Sequence, residues 1–362
     1  MNAWGLTVVI PARNEDLMPY TVRRLRDSRQ GVPLQIIVIE DGSGRDYGLL
    51  PQPSPGCEMD YIRLAGPVGL CFGRDMGIAA AKYETCLVLD AHSNFHDDDR
   101  WAEQMIAWSQ ANPTHLGCAI SVQLDCDIRN TDDEKMDMAT RKLWDEQTGV
   151  AYMTGRSRYW GARLDLFDIC SNGRFTIFPS KWYGVAKEAA QAGRPGIIQT
   201  ILGGAYVLNR EWYMEGLGRP WANNLGWGTS EQTISIPNWL LGGESVLLPI
   251  EVGHMYRTGK QATVPYRTHW AHIYYNQMKL AWSLPVPDEL LQQLVAWISK
   301  NKNFSQAIRG MTMELLGVAE PHKYKAYLAK APRTWDEYVA RFELPTEVPD
   351  SEKLMDDRRA GR

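Results

Sequence analysis

Short apolar runs closed by polar residues recur along the first half of the chain. Leu6 to Ile10 ("LTVVI") turns at "PARNED", Leu34 to Ile39 ("LQIIVI") ends in Glu40, Asp41 and Gly42, "DYIRLAG" is a shorter third run, and "TCLVLDAHS" ends in Asp90 and His92. Apolar runs of this length without alternation predict strands buried on both faces. Between them, "TVRRLRDSR" has helical spacing with a basic outer side, and "GRDMGIAAAKY" is a helix of small residues. Strand and helix in alternation predict an α/β fold, a Rossmann-like, mostly parallel central sheet flanked by helices. Ligands of such sheets bind beyond the carboxyl ends of the strands. Glu40, Asp41 and Asp90 stand at such ends.

Further on, "DDDRWAEQMIAWSQANP" predicts a helix whose N-terminus is capped by an aspartate among Asp97 to Asp99, which takes that acidic run away from metal binding. "LGCAISVQLD" is another strand, residues Asn130 to Gly196 are irregular, and "IIQTILGGAYVLNREWYMEG" returns to strand and helix. After "SLPVPDE" the pattern is helical up to a frayed tail, "PDSEKLMDDRRAGR". The expected organisation is one large domain over residues 1–285 and a helical C-terminal extension over residues 286–362.

With 362 residues, 44% of them hydrophobic, the chain can bury a large core. A net charge of −4 gives no global attraction to nucleic acid or to an anionic membrane, although a local basic face stays open. Six cysteines (Cys57, Cys71, Cys86, Cys118, Cys126, Cys170) lack any CxxC pair and read as buried free thiols in a reducing compartment. The N-terminus enters a strand almost at once, and no segment approaches the ~20 apolar residues of a spanning helix. These features predict a cytoplasmic protein with no membrane partner.

Residues i and i+2 of an extended chain share a face, so Asp90 and His92 can point at one ion. A carboxylate and an imidazole suit Mn²⁺ or a similar divalent cation, with phosphate oxygens and water completing an octahedron. The alternative is a polar strand end making local hydrogen bonds. A later stretch, Trp227 to Arg257, ends in an apolar strand that delivers His254 and, three residues on, Arg257, a residue type suited to phosphate. His269 and His272, among Trp270, Tyr274 and Tyr275, read as an amphipathic helix covering the site rather than as a zinc pair.

Four stretches, "VVIPARNE", "IIVIEDGS", "GLCFGRDMGIAAAKYETCLVLDAHSNF" and "GGAYVLNREWY…WGTSEQTISIPNWLLGG…VGHMYR", resemble in this order the catalytic domain of the polypeptide N-acetylgalactosaminyltransferases, which have the GT-A fold. The resemblance covers about residues 5 to 285. It implies a glycosyltransferase in which Asp90, His92 and His254 bind Mn²⁺ (or Mg²⁺), and the metal holds the diphosphate of a UDP-sugar. Asp41 and Glu40 would face the uridine, Arg74 would belong to the donor-binding residues, and Gly203 and Gly204 would form the turn facing the sugar. Arg257 would meet the phosphates, Trp227 the departing diphosphate or the sugar, and Tyr266 would sit on a loop closing over the nucleotide. Negative charge building on the β-phosphate would be stabilised by the metal and Arg257. The family's stereochemistry implies retention without an enzyme nucleophile. Glu231 would hydrogen-bond the acceptor hydroxyl or stabilise the oxocarbenium-like sugar, or it only caps the helix "EQTISIPNWLL".

The sequence also departs from the family. Pro11 stands where members have Thr, Pro67 where they have Arg, and their Trp-Gly-Gly-Glu-Asn is Trp227-Gly228-Thr229-Ser230-Glu231 here. Loss of these contacts leaves open a nucleotide-sugar binding protein without transferase activity. For the acceptor, residues 141–194 place Arg156, Arg158, Arg163, Arg174, Lys181 and Lys187 among Tyr152, Tyr159, Trp160, Trp182 and Tyr183, a mixture suited to phosphate contacts and base stacking or to an ordinary packed region. The favoured acceptor is a 5-hydroxymethylpyrimidine in DNA, which a duplex would have to flip out. Protein Ser/Thr hydroxyls are the alternative.

Overall fold

The structure is a computed structural model and describes residues 4–29, 31–44, 51–95, 100–124, 153–170, 172–182, 184–255, 268–302, 304–305, 317 and 320–359. The apolar runs form strands β1 (Leu6–Ala12), β2 (Leu34–Glu40), β3 (Cys57–Arg63) and β4 (Thr85–Leu89), paired in parallel in the order β3-β2-β1-β4. Along β1, Leu6, Val8 and Ile10 pack on one face with helices α1 (Met18–Ser28) and α3 (Trp101–Ala111). Val9 packs on the opposite face with Cys71 and Ile78 of helix α2 (Leu70–Ala79). Both faces of β1, β2 and β4 are covered, which is why those strands are largely apolar, whereas β3 at the sheet edge is half exposed and mixed in sequence.

The rest of the sheet is mixed. After β4 come β5 (Ser93–Phe95), β6 (Leu116–Leu124) and β7 (Met153–Tyr159), then two short hairpins: β8 (Ala162–Leu164) with β11 (Ser180–Trp182), and β9 (Phe167–Ile169) with β10 (Phe175–Ile177). β12 (Gly196–Ile198), β13 (Ala205–Asn209) and β14 (Ser245–His254) complete the large sheet. β13 lies antiparallel between β4 and β6, while β14 runs parallel to β6. The amino end of β13 therefore meets the carboxyl end of β4, with Ala205 opposite Leu89. Beyond a bulge between Leu248 and Glu251, the end of β14 also pairs antiparallel with β5, placing His254 opposite Ser93. One edge of the sheet thus gathers the polar ends of β2, β4 and β14 and the glycine turn before β13.

Helix α3 begins behind Arg100 in the left-handed region (φ 45°) with no side-chain cap, and Asp97 to Asp99 lie outside the described residues. "NREWY" enters a single π-helical turn, Trp212–Gly216. Cys57, Cys71, Cys86 and Cys118 are buried free thiols.

A second core joins the two hairpins to the helices Ser230–Leu240, Trp270–Ser283, Asp288–Ser299, Pro321–Leu328 and Trp335–Phe342. The Trp297 ring meets Phe167 and Phe175 edge-on, 5.6 and 5.0 Å between centroids. Leu284 and Val286, on either side of the expected domain boundary, both belong to this core. Among the described residues, no helix is long and apolar enough to cross a membrane.

Candidate metal and donor site

The turn after β4 and the end of β14 bring Asp90, His92 and His254 together. One ligand atom from each lies within 4.8 Å of the others. His254 Nε2 stands 3.2 Å from Asp90 Oδ2 and 3.1 Å from His92 Nε2. Backbone bonds fix the approach: the Asp90 amide donates to the Gly204 carbonyl at 2.8 Å, and the Met255 amide to the His92 carbonyl at 3.2 Å. Gly204 has φ +116°, and a β-carbon there would sit 3.1 Å from His254 Cδ2, so the turn is open only to glycine.

Arg74, on α2, is 1% exposed and supports this cluster from inside the protein. Its Nη2 lies 3.4 Å from Asp90 Oδ1, and its Nη1 3.6 Å from Glu231 Oε1. The guanidinium packs over Tyr206 and Trp221, 5.0 and 5.6 Å from the ring centroids. Burial opposes ionisation of Asp90, but the His254 hydrogen bond, the Arg74 charge and His92 outweigh it and hold the carboxyl well below its ordinary range. Burial likewise opposes the Arg74 charge, and Tyr206, Glu231 and Asp90 overcome it. At this depth the contacts of Arg74 are with Asp90, Glu231 and the two aromatic rings.

Glu40 and Asp41 end β2 as expected, and both are buried and engaged. Asp41 accepts from the Val68 amide at 2.6 Å and from the Gly69 amide at 3.1 Å, holding the start of α2. Glu40 accepts from the Ser43 amide at 2.7 Å and pairs with Arg63 at 2.8 Å.

Gly69 forms a bridge with Gly226, where a β-carbon on Gly69 would stand 2.4 Å from the Gly226 backbone. Trp227 follows, 46% exposed, and after it come Gly228 (φ +104°) and Thr229 (φ +63°). A β-branched residue in the left-handed region is a conformation usually kept at functional sites. Ser230 then opens the helix that carries Glu231 in its first turn.

The helix Trp270–Ser283 grips this loop. Asn276 Oδ1 accepts from the Leu225 amide at 2.8 Å, and its amide group donates to the carbonyls of Leu225 and Gly228 at 2.8 and 3.0 Å. Lys279 Nζ donates to the Pro220 carbonyl at 3.1 Å and to Asn224 Oδ1 at 2.7 Å. Residues 273–281 are all buried, so the helix is enclosed by the protein, with Tyr274, Met278, Leu280 and Ala281 in the second core, and is not the amphipathic cover expected from its sequence. His269 and His272 face each other at 5.3 Å between ring centroids, and burial, then His269, lowers the His272 pKa.

Sequence reasoning missed Glu15, whose Oε2 lies 3.1 Å from His92 Nδ1, as well as Asn276 and Lys279. Glu15 lies in the stretch "VVIPARNE", and nothing in the linear sequence pairs it with His92. Arg257 and Tyr266 lie outside the described residues.

In the segment 141–194, Arg158 pairs with Glu251, and Arg163 donates to the Glu343 carbonyl. Arg174 donates to Tyr274 and stacks on Trp270, and Lys181 pairs with Asp165 and Asp168.

Residues 7–158 match the sequence model of the family described as Glycosyl transferase family 2. No curated protein matches the chain by sequence. Among solved structures, GalNAc-T7 with UDP, GalNAc and Mn²⁺ is similar at a TM-score of 0.62 and 18% identity, over 94% of this chain and 57% of that one. The chain thus spans little more than half of GalNAc-T7, and at this identity the likeness is one of fold. TarS 1-349 of S. aureus, solved alone and in complex with UDP-GlcNAc, matches at a TM-score of 0.45 and 10% identity over 99% of this chain and 92% of its own, too distant to bear on the site. The family 2 match over residues 7–158 thus lies within a curled, mixed α/β sheet of GT-A-like fold, similar to that of GalNAc-T7.

Proposed function

We propose that the protein transfers a sugar from a UDP-sugar to an acceptor hydroxyl with the help of a divalent metal held by Asp90, His92 and His254. The observation that carries this reading is the convergence of those three side chains at the carboxyl edge of a sheet whose first part is a family 2 glycosyltransferase domain. Two imidazoles and one carboxylate suit a first-row transition-metal cation such as Mn²⁺ better than Mg²⁺, which keeps to oxygen ligands and water. The residues fit such an ion: the cluster is compact, and Glu15 fixes the far nitrogen of one imidazole. When bound, the metal would neutralise charge on the donor diphosphate.

The protein's own residues do the rest. Asp41 and Glu40 face the nucleoside; each carboxylate oxygen has a second lone pair, so holding Val68, Gly69 and Ser43 leaves capacity for the base. Gly203 and Gly204 admit the sugar, because no side chain projects from the turn. Trp227 offers an exposed ring to the sugar or leaving group, and Arg257 and Tyr266 belong to the phosphate and nucleotide side. Arg74 holds Asp90 and Glu231 in place, and Glu231 meets the acceptor hydroxyl. Transfer proceeds with retention and without an enzyme nucleophile.

The acceptor we place first is a 5-hydroxymethylpyrimidine in DNA, and protein Ser/Thr second. The aromatic and basic content of residues 141–194 supports DNA. The ion pairs of Arg158 and Lys181 do not close that route, since ion pairs near the surface contribute only ~0–1 kcal/mol and can exchange for phosphate.

The test is UDP release from a panel of UDP-sugars, with and without Mn²⁺, for the wild type and Asp90→Asn, adding 5-hydroxymethylpyrimidine DNA or a peptide mixture in turn. Release that requires both metal and Asp90, and is stimulated by one acceptor, supports transfer and identifies the acceptor class. Tight UDP binding with no release from any sugar would instead indicate a nucleotide-sugar binding protein.

A further inference from the structure

We infer that Glu15 is a positioning residue for His92: it fixes the imidazole in the tautomer that presents Nε2 to the Asp90 and His254 cluster. The inference rests on the metal reading above and adds a residue to it.

The geometry is direct. His92 Nδ1 lies 3.1 Å from Glu15 Oε2 on one side of the ring, and Nε2 lies 3.1 Å from His254 Nε2 on the other. A carboxylate can only accept a hydrogen bond, and a neutral imidazole carries one proton. Nδ1 must therefore hold that proton, which leaves the Nε2 lone pair directed at the cluster. A carboxylate behind a metal-binding histidine also increases the basicity of the ligating nitrogen.

Glu15 is 8% exposed and His92 half-buried, so the contact is largely sheltered from solvent. The chain is bent to make it. Asn14, the preceding residue, is in the left-handed region at φ 52°, and its amide donates to Ser43 Oγ at 2.7 Å. Ser43 in turn donates its amide to Glu40 Oε1 at 2.7 Å. The loop after β1 is thereby tied to the loop after β2, and Glu15 is held beneath His92. The acids at the end of β2 and the histidine at the end of β4 share one hydrogen-bonded frame.

The experiment titrates Mn²⁺ alone into the full-length wild type, Glu15→Ala and Glu15→Gln, following free Mn²⁺ by electron paramagnetic resonance and checking folding by thermal unfolding. Loss of such a supporting carboxylate weakens metal binding by about 10–100-fold, the drop expected for Glu15→Ala. Glu15→Gln should lose much less, because its amide oxygen still accepts from Nδ1–H. Wild-type affinity in Glu15→Ala overturns the inference, as does a Glu15→Gln variant as weak as Glu15→Ala.

A second measurement needs no variant. Nitrogen chemical shifts of the imidazoles in the metal-free wild type, above the titration range of histidine, should show His92 protonated on Nδ1, and protonation on Nε2 overturns the inference. A wild type that binds no Mn²⁺ overturns the metal reading instead, while the tautomer result still decides the role of Glu15.

Discussion

Gly204 lies against the ring of His254 so closely that a methyl group in place of its hydrogen would stand 3.1 Å from Cδ2. The same residue accepts the Asp90 amide hydrogen bond. A backbone turn without a side chain is therefore part of the cluster's wall. Gly204→Ala should be destabilised by about 1–3 kcal/mol through its positive φ and should bind Mn²⁺ more weakly because His254 must move. Urea unfolding and Mn²⁺ titration of one sample measure both effects, and unchanged values in both would show that the turn has room to relax.

Trp227 should behave in the opposite way. Its exposure predicts that Trp227→Ala changes stability by no more than about 0.5 kcal/mol. Acceptor-stimulated UDP release should nevertheless fall sharply. A variant that unfolds early would place Trp227 in the framework of the fold rather than at the donor.

Arg74 is a buried cation between two acids, and removing it takes from Asp90 and Glu231 the positive charge they share. Arg74→Met should cost about 3 kcal/mol or more by urea unfolding. The loss should shrink when Asp90→Asn is added, because one of the uncompensated charges is then gone. Simple additivity of the two changes would rule out the coupling.

Lys279 titrates in the fold itself. Burial lowers its pKa from the ordinary 10.5 to about 8. Between those two values the unfolded chain holds a proton that the folded chain has released, so stability rises with pH across that window; below about pH 8 both forms are protonated and the dependence vanishes. Wild-type stability measured against Lys279→Met should therefore increase from pH 8 to pH 10. A flat difference would show that the two hydrogen bonds keep the ammonium charged.

The parts of the fold read correctly from sequence were those where burial leaves a local imprint. β1, β2 and β4 are apolar on both faces, and the polar residues that end β2 and β4 occupy the edge where ligands bind such sheets. Asp90 and His92 could be paired by spacing alone. His254 could be added only through the resemblance, because its position depends on β14 pairing with both β6 and β5, a register that no local pattern encodes. The antiparallel insertion of β13 was hidden for the same reason. Asn276 and Lys279 were hidden because polar residues on a helix ordinarily mean a wet face, whereas here they point into the loop they hold.

The placement of β14 also bears on how the site comes into being. Asp90 and His254 are 164 residues apart. Their meeting needs a parallel strand laid beside β6 and then against β5, the kind of non-local pairing that forms slowly. A chain emerging from the ribosome acquires Asp90, His92 and Arg74 long before Glu231 and His254. The family 2 segment at residues 7–158 by itself therefore holds two of the three cluster residues. Metal capture and catalytic competence should thus appear together and late, when β14 is in place, and fragments that end before it should be inert however well their first strands fold.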